Sequence, residues 1–370
     1  MQARQHCPRL VTPGKGGPPW RLSARGALSA GRGGAGLRPW VLRVLRVLRV
    51  LRVLRVLPAL LLAAAPAAFA QGFDLQGHRG ARGVAPENTL AAFRAALAAG
   101  VSTLELDVHV TRDGAVVIAH DPRLNAAFTR DATGRWIDEP GPAVMQLTLA
   151  ELQRFDVGTA KPGTRYVQQW PERTDVPGER VPSLAALFEE VKRRGANGVR
   201  FNIETKLNSN TPELTPAAEP FAQTLLEVIR QHGMSERVTI QSFDWRTLAV
   251  VQRLAPRTPT VALSARQNFL NNIDDGRWTA GHTLAAHGGS LPKMVKAAGA
   301  AIWSPFHGDL TEALLAEAKA LGLPVVPWTV NDPAVIERLL DWRVDGLITD
   351  YPARVREAMA RRGMPLPAPR

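Results

Sequence analysis

The chain has 370 residues, a formal net charge of +13 and a single cysteine. The charge is unevenly placed. Residues 1–70 carry 12 Lys and Arg and no acidic residue, leaving 34 basic and 33 acidic residues in the other 300. That near-neutral body does not support a broad basic footprint for nucleic acid. Cys7 lies in the basic segment, so cysteine zinc centres and thiol nucleophiles are excluded from residues 71–370.

The first 40 residues are rich in Gly, Pro and Arg without apolar periodicity, and read as disordered. Leu-Arg-Val then repeats five times from Leu42 to Val56. A period of three moves each Arg about 60° around a helix, so the repeat forms no clean amphipathic face. It reads as a low-complexity expansion. Residues 56–70 are uncharged and end Ala68-Phe69-Ala70. A positive flank, a short apolar core and a small-x-small ending describe a secretory signal peptide, with cleavage expected after Ala70. The run is too short for a transmembrane span, so no membrane-spanning segment is expected once the leader is removed. The expected location is the periplasm or the exterior.

Residues 71–370 alternate short apolar strands with Ala- and Leu-rich helical segments. Strands are expected at 73–77, 103–110, 116–120, 199–205, 238–241, 260–263, 300–303, 325–330 and 346–349. Helices are expected at 89–99, 183–194, 219–231, 245–254, 311–320 and 333–342. This order fits a single-domain distorted TIM (β/α)8 barrel better than a doubly wound sheet. Nine strands are one too many for such a barrel. The turn signal Thr111-Arg112-Asp113-Gly114 leaves no room for a helix and joins two strands directly. Two long segments, 121–182 and 265–292, interrupt the alternation and are expected on the active face as lids or as inert insertions.

Strand 103–110 places Glu105, Asp107 and His109 on one face and Leu104, Leu106, Val108 and Val110 on the other. Two carboxylates on one face of a buried strand need a cation, and oxygen ligands suit Ca2+ or Mg2+. A solvated edge strand is the alternative. Strand 199–205 repeats the pattern: Glu204 is a third candidate ligand, and Lys206 either points at an anion beside the metal or pairs with Glu204. His78 and His120 end strands and form a candidate acid/base pair, with Arg79 as a phosphate partner. Glu87 is near enough in sequence to orient Arg79. Asn88 or Thr89 caps the helix that follows, and capping accounts for both.

Nine motifs in order carry a family resemblance. They are Gly-His-Arg-Gly at 77–80, Pro-Glu-Asn-Thr at 86–89, Leu-Glu-Leu-Asp-Val at 104–108, Thr-Arg-Asp-Gly at 111–114 and Ala-His-Asp-Pro at 119–122. Asn-Ile-Glu-Thr-Lys at 202–206, Gln-Ser-Phe-Asp at 241–244, Trp-Thr-Val-Asn at 328–331 and Leu-Ile-Thr-Asp-Tyr-Pro at 347–352 follow. The chain resembles the glycerophosphodiester phosphodiesterase family across roughly 73–352. The resemblance implies a phospholipase-C-like barrel and one divalent cation on Glu105, Asp107 and Glu204. It implies His78 and His120 as the acid/base pair, with Arg79, Lys206 and Trp328 around the substrate. His109 is left a supporting role. Thr205 stands where many relatives have an apolar residue and is expected to face outward. The implied reaction splits glycerophosphodiesters such as glycerophosphocholine or glycerophosphoethanolamine into sn-glycerol 3-phosphate and an alcohol. Two alternatives remain. One is a lysophospholipase-D-like or phospholipase-C-like hydrolase that uses Phe128, Trp136, Phe155, Tyr166 and Trp170 against membrane lipid. The other is a non-catalytic phosphodiester-binding barrel. Amino-terminal sequencing of the exported protein is expected to begin at Gln71; a product that retains the repeats contradicts cleavage there.

Overall fold

Residues 72–370 are described in the computed structural model; the leader repeats, Ala70 and Cys7 lie outside the described residues. The strands in chain order are β1 (Asp74–Gly77), β2 (Thr103–Val110), β3 (Val116–Ile118), β4 (Arg200–Thr205), β5 (Val238–Ser242), β6 (Thr260–Ser264), β7 (Arg266–Gln267), β8 (Leu270–Asn271), β9 (Ile302–Pro305) and β10 (Gly346–Thr349). Seven of them pair in parallel in the order β10-β1-β2-β4-β5-β6-β9.

The segment 325–330 closes the curl. Val326 N donates to Trp303 O at 2.9 Å and Trp328 N to Pro305 O at 3.0 Å on the β9 side. On the β10 side, Val330 N donates to Ile348 O at 2.9 Å and Ile348 N to Pro327 O at 3.0 Å. Pro327 has no N–H to give, so the expected strand appears only as isolated bridges. Counted with this segment, the distorted TIM barrel has eight staves. The ninth expected strand is β3, which pairs antiparallel with β2 and lies off the barrel path.

The six expected helices are present, each within one residue of its expected ends. Thr89, Ser183 and Thr311 are caps rather than helical residues, each accepting from a backbone N–H of the first turn. Helices Leu291–Ala297 and Pro352–Arg361 were not expected. The first has only seven residues, and the second lies in a segment of low hydrophobic content.

Side-chain alternation divides the barrel. Leu104, Leu106, Val108 and Val110 of β2 join the outer core with Phe93, Phe188 and Phe201, under the helices. Thr205 also faces outward, with its Oγ1 2.7 Å from Thr247 Oγ1 of helix Trp245–Leu254. The lumen has two halves. Val261, Ile302, Val326 and Ile348 form an apolar half, with Trp328 packed against it. Under β1, β2, β4 and β5 the filling is polar instead. Asn202 Nδ2 donates to Gln76 Oε1 and to Gln241 Oε1, both at 2.9 Å, and Gln76 Nε2 donates to Asp74 Oδ2 at 2.8 Å.

Neither long insertion is a detached lid. Segment 121–182 builds a small second core from Leu124, Val144, Leu152, Val157 and Val181 on Val117 of β3. Segment 265–292 opens with the β7–β8 hairpin, which sends Phe269 outward. At the first turn after β1, Gly80 has φ +83°, and a Cβ there would meet the Ala92 carbonyl carbon at 2.6 Å. Gly80→Ala is expected to destabilise the protein by about 1–3 kcal/mol in urea unfolding; an unchanged midpoint contradicts this account of the turn.

Candidate active site

The parallel register of β2 and β4 sets Glu105 beside Asn202 and Asp107 beside Glu204. The carboxylates of Glu105, Asp107 and Glu204 are buried and offer three oxygens within 4.8 Å of one another. Gln241 Nε2 donates to Glu105 Oε1 at 2.6 Å, and Arg79 N donates to Glu105 Oε2 at 2.8 Å. Asn88 Nδ2 donates to Asp107 Oδ2 at 2.8 Å. Asn88 is therefore not a cap, as Thr89 alone fills that position; it holds Asp107. Its φ of 57°, like the 48° of Arg79, is left-handed backbone in a residue other than glycine.

Lys206 Nζ lies 2.9 Å from Glu204 Oε1 and 3.6 Å from Asp107 Oδ1, which joins the two roles set out for it: it pairs with Glu204 and lines the same cavity. Arg79 Nη1 donates to Glu87 Oε1 at 2.7 Å, so Glu87 does orient Arg79. These two cations do not fully offset the cluster. Burial, then the Asp107 charge, pushes Glu105 well above the usual carboxyl range. Burial also raises Glu204, to about 7, against the pull of Lys206. Asp107 stays ionised despite its burial because Lys206 and Arg79 hold it down. Its Oδ1 has no hydrogen-bond partner. A buried all-oxygen triad with an orphaned ligand atom fits a hard divalent cation.

Each candidate acid/base histidine is held through Nδ1 by a carboxylate. His78 Nδ1 lies 2.6 Å from Asp350 Oδ1, and His120 Nδ1 lies 2.7 Å from Asp121 Oδ1. An ionised carboxylate only accepts, so each Nδ1 carries the proton and Nε2 is left for proton transfer. Burial lowers the His78 pKa to about 4 against the opposing pull of Asp350, and burial with Arg79 and Lys206 lowers that of His120.

His120 does not end a barrel strand, contrary to its expected placement. Ala119 N donates to Asp107 O at 3.0 Å, so the chain leaving β3 stays antiparallel to β2 up to the turn at His120, which brings that residue to the site. His109 Nε2 donates to His120 O at 3.2 Å and fixes that turn.

His78, Arg79, His120, Glu105, Glu204 and Lys206 border one cavity of about 450 Å³. Phe243 and Trp328 also line it and meet edge-on at 5.1 Å, with Phe306 5.5 Å from Trp328. Phe269 and Trp278 of the second insertion also line it. From the first insertion only Asp121 and Pro122 do so. The five aromatics considered for membrane contact are not fully exposed; Phe128 packs on Tyr166 at 4.9 Å and Trp170 is buried.

Asp350, Arg82, Gln241 and Asn331 also belong to the site, although local pattern did not single them out. Arg82 Nε and Asn331 Nδ2 both donate to Asp350, at 2.9 and 2.6 Å. Gln241, Asn331 and Asp350 lie inside the motifs that carry the resemblance, which was the available signal.

Comparison with known proteins agrees. The sequence profile of the Glycerophosphoryl diester phosphodiesterase family matches residues 78–354. A glycerophosphodiester phosphodiesterase of Bacillus subtilis is 30% identical over 281 residues, 74% of this chain and 82% of its own. The crystal structure of a provisionally named glycerophosphoryl diester phosphodiesterase from Silicibacter pomeroyi superposes with a TM-score of 0.71 at 36% identity, covering 79% of this chain and 95% of that one. An Oleispira antarctica phosphodiesterase, solved with its product sn-glycerol-3-phosphate, has the same fold at 23% identity, with a TM-score of 0.58 and coverage of 79% and 99%.

Asp350 gives a pH prediction. Burial opposes its ionisation, but Arg82 and His78 hold its pKa far below the ordinary value. A depressed folded pKa stabilises above the unfolded value of about 3.9, and the contribution fades as pH falls below it. Asp350→Asn is therefore expected to destabilise more at pH 7 than at pH 3 in urea unfolding; equal losses contradict the pairing.

Proposed function

The chain belongs to the glycerophosphoryl diester phosphodiesterase family and is an enzyme of that class, and from this premise we propose an exported, cation-dependent hydrolase that uses His78 and His120 as its acid/base pair. One observation carries the proposal: two imidazoles, each anchored through Nδ1, border the same cavity as the carboxylate triad, Arg79 and Lys206. The catalytic unit is residues 71–370, behind a leader removed at Ala70. Its substrates are glycerophosphodiesters such as glycerophosphocholine and glycerophosphoethanolamine. Its products are sn-glycerol 3-phosphate and the free alcohol.

Glu105, Asp107 and Glu204 would hold one Ca2+ or Mg2+, which when bound neutralises phosphate charge and lowers the pKa of a coordinated hydroxyl. Arg79 and Lys206 supply a planar and a point cation for the phosphate oxygens, with Glu87 fixing the guanidinium. One Nε2 takes the proton of the attacking oxygen as its bond to phosphorus forms. The other histidine, entering the step as the imidazolium, gives its Nε2 proton to the alcohol oxygen as that P–O bond breaks. Attack by water yields sn-glycerol 3-phosphate directly; attack by the glycerol 2-hydroxyl yields a cyclic phosphate that a water then opens, with the two histidines exchanging roles. Asp350 and Asp121 stabilise whichever imidazolium forms. Trp328 and Phe243 offer an apolar surface to the organic part of the substrate. Among the described residues no helix is long and apolar enough to cross a membrane.

Purified protein is expected to release sn-glycerol 3-phosphate from glycerophosphocholine, to leave lysophosphatidylcholine intact, and to stop on addition of chelator. Chelator-resistant turnover contradicts cation dependence, and equal turnover of the lysolipid favours the lysophospholipase-D-like alternative. His78→Ala and His120→Ala are each expected to lose more than about 10²-fold in kcat. Near-normal turnover in either removes that histidine from the mechanism.

A further inference from the structure

The first insertion reaches residues that hold the proposed catalytic groups. Helix Arg165–Gln169 and the residues after it contact Arg82, Val84 and Glu87 in the loop that follows His78 and Arg79. Tyr166 Oη donates to Glu87 Oε2 at 2.8 Å, while Glu87 Oε1 accepts from Arg79 at 2.7 Å. Both carboxylate oxygens are thus engaged, and rotation of Glu87 would break one bond or the other. Burial and the Glu87 charge raise the Tyr166 pKa, so the phenol remains a donor. Phe128 at 4.9 Å and the Arg173 guanidinium at 5.6 Å hold its ring.

Four residues on, the indole of Trp170 covers the Arg82 guanidinium at 4.2 Å. Arg82 grips both oxygens of Asp350, Nε to Oδ1 at 2.9 Å and Nη2 to Oδ2 at 3.2 Å. Asp350 in turn holds His78. Thr174 N donates to Val84 O at 3.0 Å, so the same segment is tied to the loop between Arg79 and Glu87.

We propose that segment 165–174 is a positioning element, in which Tyr166 fixes Arg79 through Glu87 and Trp170 fixes His78 through Arg82 and Asp350. The inference rests on the acid/base and phosphate-binding roles proposed above. The two arms have separable consequences. Arg79 meets the phosphate in substrate, transition state and product alike, so loosening it weakens binding. His78 acts on a proton in flight, so loosening it slows the chemical step.

The test measures kcat, KM and inhibition by sn-glycerol 3-phosphate in purified Tyr166→Phe, Trp170→Phe, Trp170→Leu and His78→Ala, with a thermal melt of each. Tyr166→Phe, which deletes one oxygen, is expected to raise KM and the product inhibition constant about tenfold while kcat stays near wild type. Trp170→Leu is expected to lower kcat about tenfold with little change in KM, and Trp170→Phe to recover most of it by restoring an aromatic face. With His78→Ala inactive, wild-type kcat and KM in Tyr166→Phe and Trp170→Leu overturn the positioning role alone. So does a loss of activity in both that only follows a fallen melting temperature. Wild-type turnover in His78→Ala overturns the acid/base reading together with the inference built on it.

Discussion

Three carboxylates on two adjacent parallel strands, buried in the lumen of a barrel, are the constraint on which this structure depends. An ion taken out of water costs several kcal/mol, and neighbouring like charges add to that cost. The surrounding residues answer it. Arg79 and Lys206 approach as cations, Gln241 and Asn88 donate to the outer oxygens, and the turn after β1 adopts left-handed backbone at Arg79 so that its N–H reaches Glu105. The compensation is incomplete: Glu105 and Glu204 are raised, and Asp107 Oδ1 accepts no hydrogen bond. A buried acidic triad left in this condition is compatible with a divalent cation.

The division of the lumen follows from the same constraint. A parallel barrel is usually filled by branched apolar side chains. Here they fill only the half formed by β6, β9, segment 325–330 and β10. The other half runs as a hydrogen-bonded chain from Asp74 through Gln76, Asn202 and Gln241 to Glu105. Asn202 donates to the oxygen of Gln241, which turns the Gln241 amide nitrogen towards Glu105. The cavity above inherits both characters, charged on the β1, β2 and β4 side and aromatic at Phe243 and Trp328. A phosphodiester, anionic in the middle and organic at its ends, matches that surface.

Much of this was legible in the sequence because it rests on short-range periodicity. Alternation along 103–110 placed Glu105 and Asp107 on one face, and apolar spacing placed the helices at 183–194 and 311–320 to within one residue, with Ser183 and Thr311 proving to be their caps. The failures were of longer range. Asn88 reads as a cap locally, and only the fold brings it to Asp107, 19 residues away. Asp350 meets His78 across 272 residues, and Tyr166 meets Glu87 across 79. No local pattern encodes such pairs. The surplus ninth strand was legible, since the turn at Thr111–Gly114 joins β2 directly to its antiparallel partner β3, and the stave at 325–330 forms where expected although Pro327 interrupts its ladder. The insertion at 121–182 was not legible because Phe128 and Phe155 pack on its own small core while Trp170 stacks on Arg82, a contact between distant segments.

Calorimetric titration of the purified, chelator-treated protein with Ca2+ and with Mg2+ tests the central claim most directly. The account predicts one cation per chain for at least one of the two metals, with proton release near neutral pH as the raised carboxyls ionise, and no binding after Asp107→Asn or Glu204→Gln. Absence of binding to the wild type, or equal binding by wild type and both variants, contradicts it.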